Sequence, residues 1–195
     1  MVATSRSAFG KSNKMAQLKS LIFFAVPTSV WRSAMTLPRE INLIKVSGKY
    51  ELKFSPAREL KSILGATNQF KDSASANCNG FKVSYSVDGQ TELKLSNNAG
   101  DFVNIAVTDH QLTFDHTHSG IVDFNSTFPA IHNVDTGDVE ISSVDIFVDQ
   151  ASVELFVNAG ERVMTEIVFP TKPFDKVSLT GTSNEFSVTE IKSIF

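Results

Sequence analysis

The stretch Asp115-His-Thr-His118 carries the densest set of groups able to do chemistry. Side chains alternate faces along a strand, so His116 and His118 are expected to share one. Two imidazoles at that spacing can hold a metal ion if other ligands converge, with Asp123 or His132 as the further ligands. A real site wants three or four ligands, and spacing marks only two. The expected role of these histidines is therefore surface or hydrogen-bonding, and no metal is assigned. Three carboxylates, Asp145, Asp149 and Glu154, lie near one hairpin. Asp145 and Asp149 flank Phe147 on one face, where solvent contact or loop capping is the expected role, and no catalytic pair is marked out. Cys78 is the only cysteine, so no disulfide forms within the chain. It has no His or Asp beside it to activate it, and it is read as structural. There is no Gly-rich phosphate loop, no Cys-x-x-Cys, no His-Glu-x-x-His and no Gly-x-Ser-x-Gly. No cofactor is expected.

These groups must be positioned by strands. In Val144-Asp-Ile-Phe-Val-Asp-Gln-Ala-Ser-Val-Glu-Leu-Phe-Val157, Val144, Ile146 and Val148 point one way and Asp145, Phe147 and Asp149 the other. After a polar turn, Val153, Leu155 and Val157 share a face and Glu154 and Phe156 take the opposite one. Such period-2 alternation predicts a hairpin. Phe147 and Phe156 put aromatics on the face that should be wet, so a loop, another strand or another domain is expected to cover it.

Short strands are also expected at 49–55, with Tyr50, Leu52 and Phe54 on one face, and at 81–87, 92–95, 102–107, 111–115, 162–169, 176–180 and 186–195. Asp88-Gly89, Asn98-Ala-Gly100 and Asp109-His110 punctuate them as hairpin turns. Ala57–Leu64, after Ser55-Pro56 and before Gly65, is the one helical turn expected. Residues 72–79 are read as a polar loop and 119–138 as a long connection. Roughly ten short strands with almost no helix predict an all-β fold, an antiparallel two-sheet β-sandwich.

The chain has 195 residues, 42% hydrophobic and 20% charged, which suits one globular domain of moderate size, or one domain plus a tail. A net charge of -3 gives no reason to expect nucleic acid or an anionic membrane as partner. The 16 Phe against 2 Tyr and 1 Trp favour core filling over a row of exposed rings for sugar stacking. Residues 1–26 are basic and Ser-rich, with no acid before Glu40. They fit a transit-like leader, a signal peptide or an arbitrary start. Leu21–Val26 is shorter than the roughly 7–15 residues of a signal core and far too short to span a membrane. A poorly ordered start followed by one strand is preferred.

Three blocks together resemble glycoside hydrolase family 32, the invertase, inulinase and levanase family. The first is Pro27-Thr-Ser-Val-Trp-Arg-Ser-Ala-Met-Thr-Leu-Pro-Arg-Glu40, which is similar to the segment that closes the catalytic propeller. The second is Phe114-Asp-His-Thr-His-Ser-Gly120 with Phe128-Pro-Ala130, which resembles the Asp-Arg-x-x-Ser-Gly stretch of the C-terminal sandwich. Here His116 stands where Arg is usual. The third is Val144–Val157 with Asn158-Ala-Gly-Glu-Arg-Val-Met-Thr165, which resembles the central hairpin of that sandwich and the strand after it.

The resemblance implies a remnant of the last propeller strand and its linker at 27–45 and a C-terminal β-sandwich at 46–195. It also implies what is missing. The family's nucleophile lies in a Trp-Met-Asn-Asp-Pro-Asn-Gly block, its stabiliser in an Arg-Asp-Pro block, and its acid/base is a Glu beside a Cys. None of these blocks occurs here. A retaining glycosidase needs two carboxylates about 5 Å apart. The implied function is a non-catalytic module of a fructan- or sucrose-cleaving hydrolase, stabilising or weakly carbohydrate-binding. Its expected partners are a propeller domain or chain, and fructan or sucrose. The alternatives are half of a split enzyme completed by a propeller chain, or an unrelated lectin-like sandwich. If residues here touch sugar, Trp31 offers a stacking face and Arg32 a fork of donors. Family members are often secreted or periplasmic, but no clear signal peptide fixes a compartment.

Overall fold

The computed structural model describes residues 27–28, 35–46, 48–76, 78 and 80–192. The expected strand at Leu21–Val26, Trp31, Arg32 and the last three residues lie outside the described residues.

The chain opens with a hairpin of β1 (Arg39–Val46) and β2 (Lys49–Pro56), paired through Leu43↔Leu52. A 3-10 helix, Arg58–Ile63, follows where the helical turn was expected. Then come β3 (Leu64–Lys71), β4 (Ser73–Ser75), β5 (Phe81–Ser86), β6 (Thr91–Ser96), β7 (Phe102–Val107), β8 (Gln111–Asp115) and β9 (Ile131–Asp135). The last elements are β10 (Ser143–Val148), β11 (Ser152–Val157), β12 (Arg162–Ile167), β13 (Lys176–Gly181) and β14 (Glu185–Ile191).

Two six-stranded sheets make the sandwich, in the orders β12-β11-β10-β5-β14-β3 and β4-β13-β6-β7-β8-β9. Every pairing is antiparallel. Burial alternates along β5, β6, β7 and β8 as period-2 sequence demands. Of their inward residues, Phe81, Val83, Leu93, Leu95, Ile105 and Phe114 are at most 1% exposed. With Ile146, Leu155 and Leu179 they form one core between the sheets. Burying each such side chain stabilises the fold by about 1.5–3 kcal/mol before chain entropy is charged against it.

β10 and β11 depart from simple alternation, because both of their faces are covered. Phe147 and Phe156 meet edge to face, with centroids 5.6 Å apart. The covering comes from within the chain. The Arg39 guanidinium lies 5.3 Å from the Phe156 ring centre, and Lys82 lies 5.6 Å from that of Phe147.

Three strands contradict the sequence reading. β3 and β4 fall at the start of, or just before, what was read as a polar loop, and β9 falls inside the long connection. β3 and β9 are edge strands of their sheets, and β4 is the opposite edge from β9. An edge strand buries few side chains, so its sequence carries little alternation.

Candidate functional site

At one side of the sandwich the β9 edge of one sheet faces the β12 edge of the other. Three ionisable side chains meet there. β9 directs His132 inward, and β12 directs Glu166 inward, in phase with buried Met164. His132 Nδ1 and Glu166 Oε1 are 2.8 Å apart, joining the two sheets. His116, just past the end of β8, completes the group. One potential ligand atom from each of His116, His132 and Glu166 lies within 4.8 Å of the others.

His116 is 1% exposed. Its ring stands edge-on to Phe128, centroids 5.0 Å apart, and 5.3 Å from the ring of His132. Neither of its nitrogens has a hydrogen-bond partner among the described residues. Burial lowers its pKa to about 4, with neighbouring His132 acting the same way and Asp115 opposing. At neutral pH the imidazole is therefore uncharged.

The expected pairing of His116 with His118 does not hold. β8 ends at Asp115, and the chain turns, so His116 points in while His118 is exposed and stacks on Phe102 at 4.8 Å. Asp115 Oδ1 accepts hydrogen bonds from the Thr117 amide and hydroxyl, which fixes that turn. Asp123 lies in an exposed loop, away from strand structure. Of the ligands weighed from sequence, the structure brings together His116 and His132 and adds Glu166. The signal for Glu166 was a charged residue in the inward phase of a strand.

The three hairpin carboxylates take separate structural roles. Asp145 pairs with Lys82 at 2.8 Å and accepts from Ser84 at 2.6 Å. Asp149 accepts from the Gln150 amide in the turn. Glu154 is 3% exposed and holds the incoming chain. It accepts from the Leu37 amide at 2.6 Å and from Arg39 at 2.5 Å.

The β1–β2 hairpin is fixed to the sandwich by its polar side. Glu51 pairs with Arg162 at 2.6 Å, Lys53 donates to the Asn158 carbonyl, and the Phe54 amide donates to the Gly160 carbonyl at 2.9 Å. Gly160 has φ +105°, and a Cβ there would lie 2.2 Å from the Phe54 oxygen, so no larger residue permits this approach. The other side of the hairpin carries Ile41, Leu43, Tyr50 and Leu52, which are 64%, 66%, 71% and 52% exposed. The expected sharing of a face by Tyr50, Leu52 and Phe54 holds, but the face points outward.

Two shallow recesses of about 420 and 230 Å³ open on the opposite side, near β3 and β4. The larger has no acidic residue in its wall, and the smaller has only Glu190. Neither presents the two facing carboxylates that glycoside hydrolysis requires.

Comparison with known proteins agrees with this architecture. An extracellular exo-inulinase of Aspergillus awamori is 30% identical over 80% of this chain, which corresponds to 33% of that protein. A levanase of Bacillus subtilis is 28% identical over 75% of this chain and 25% of its own length. The crystal structure of the A. awamori exo-inulinase superposes with a TM-score of 0.72 at 26% identity, covering 87% of this chain and 38% of that one. A sucrose-6-phosphate hydrolase from Lactobacillus gasseri shares the fold, with a TM-score of 0.63 at 20% identity over 80% of this chain and 33% of its own. The chain thus spans about a third or less of these curated relatives. The reading as an unrelated lectin-like sandwich falls. With the family model "Glycosyl hydrolases family 32 C terminal" matched over residues 39–194, this chain belongs to the C-terminal β-sandwich domains of glycosyl hydrolase family 32.

Proposed function

We propose that this chain is a non-catalytic module of a fructan- or sucrose-cleaving hydrolase, which stabilises a catalytic propeller by docking beside it. The observation that carries this reading is the outward apolar face of the β1–β2 hairpin. Ile41, Leu43, Tyr50 and Leu52 form a contiguous apolar patch on an element held to the sandwich by its polar side. Contiguous exposed apolar surface marks an interaction site. A division into a linker remnant at 27–45 and a sandwich from 46 would cut β1 (Arg39–Val46), so the hairpin is taken as one docking element.

The same patch serves a propeller in the same polypeptide or in a separate chain. The second case makes the protein half of a split enzyme. Any sugar contact would fall to Trp31 and Arg32.

The purified chain is expected to release no fructose from sucrose, inulin or levan. Release that co-purifies with the chain and scales with its concentration would overturn the proposal. Co-purification of a propeller chain would favour the split-enzyme form.

A further inference from the structure

We propose that His116, His132 and Glu166 form a zinc site that clips the β9 edge of one sheet to the β12 edge of the other. The donor set is two imidazoles and one carboxylate, the combination that suits Zn²⁺ among available divalent ions. The three potential ligand atoms lie within 4.8 Å of one another. Ligand atoms on a tetrahedral zinc with bonds of about 2.0–2.1 Å stand roughly 3.3 Å apart. The closest pair, His132 Nδ1 and Glu166 Oε1, is already at 2.8 Å. An ion would draw the furthest atoms in by roughly 1.5 Å at most and spread the His132–Glu166 pair by about 0.5 Å, with water as the fourth ligand.

His116 is the observation that points to a ligand. A buried polar group normally has a hydrogen-bond partner. Both nitrogens of His116 lack one among the described residues, although the ring is 1% exposed and its donor atom lies beside the His132–Glu166 pair. An imidazole whose ring nitrogens have no hydrogen-bond partner among the described residues, next to a carboxylate, is placed to coordinate. Glu166 supplies the carboxylate oxygen of the set. His132 keeps 26% of its side chain exposed, which leaves an entry path.

The site would act on the fold. Its ligands come from β9, β12 and the turn after β8, at the side where the two sheets have no strand between them. A metal there closes the sandwich along that side, as a clasp between sheets. The inference does not depend on whether the chain is catalytic or docks a propeller.

The test uses the full untagged chain, stripped of metal with EDTA and titrated with Zn²⁺ by calorimetry at neutral pH. The expected result is one ion per chain with micromolar affinity, and a raised melting temperature that EDTA reverses. Co²⁺ is expected to give the intense visible absorption of a four-coordinate ion. His116→Leu fits the apolar surroundings of Phe114 and Phe128 and is expected to fold while losing at least a hundredfold in zinc affinity. Glu166→Gln keeps the shape and hydrogen-bonding capacity and is expected to lose at least tenfold. No saturable binding at millimolar zinc would overturn the proposal and leave His116 as a packing ring. Unchanged affinity in a folded His116→Leu or Glu166→Gln chain would also overturn it.

Discussion

The sandwich core and the β1–β2 hairpin are held by different forces. In the core, the inward faces of β5, β10 and β11 meet those of β6, β7, β8 and β13, and the apolar side chains are sealed from water. In the hairpin the apolar side chains face out, and polar contacts hold the element in place. Both regions use period-2 alternation. The difference is which phase meets the rest of the molecule. In the proposed docking role, a strand whose polar phase faces its own protein and whose apolar phase faces solvent is the part of the fold that a second surface would cover.

Substitutions can break or sharpen that contrast. The largest effect is expected from Phe114→Ala, since the ring is fully buried and its loss leaves a cavity. Urea unfolding should show a loss of about 3–5 kcal/mol. Glu154→Ala comes next. It removes the acceptor for Leu37 and Arg39, so the entry to the hairpin detaches. Arg39 keeps 20% of its side chain exposed. The cost should therefore fall to about 2 kcal/mol, below the 3–5 of a fully buried pair, with the core strands undisturbed.

Asp101 gives a smaller, pH-dependent effect. Burial raises its pKa, but hydrogen bonds from Asn97, Thr171 and Lys172 outweigh that, so the net shift is downward. A depressed folded pKa means that the carboxylate stabilises the fold above its ordinary value of 3.8 and that this contribution is lost as pH falls through the lowered one. Asp101→Ala should cost about 1 kcal/mol at neutral pH, and the gap in melting temperature from the parent chain should close in strong acid. The smallest effect is expected from the double variant Leu43→Lys with Leu52→Glu, which places opposite charges across the strand pair. Its stability should stay within about 0.5 kcal/mol of the parent chain, because both side chains already stand in water, while association with a propeller should be lost.

The same contrast explains what was legible in the sequence. β5 to β8 and the β10–β11 hairpin bury one full phase of apolar residues, so their alternation is plain in Phe81–Ser86 or Phe102–Val107. The covered outer face was legible too, because Phe147 and Phe156 broke the polar phase. β3, β4 and β9 were not legible. In Ile131–Asp135 the inward positions are His132 and Val134, and a histidine reads as surface. The cluster was only half legible. His116 and His132 stood out by type, but Glu166 joins them through the closing of two sheets, and no local spacing encodes that. His118 misled because the strand was expected to continue past Asp115, where Thr117 and Asp115 instead make a turn.

Amide hydrogen exchange on the intact chain tests the division between core and hairpin most directly. Exchange reports local opening separately from global unfolding. The β1–β2 amides, including the Phe54 amide bonded to Gly160, should open together and exchange well before those of β5, β6 and β7. Equal protection in the hairpin and these core strands would contradict the account, because the hairpin would then be part of the core rather than a separately held element.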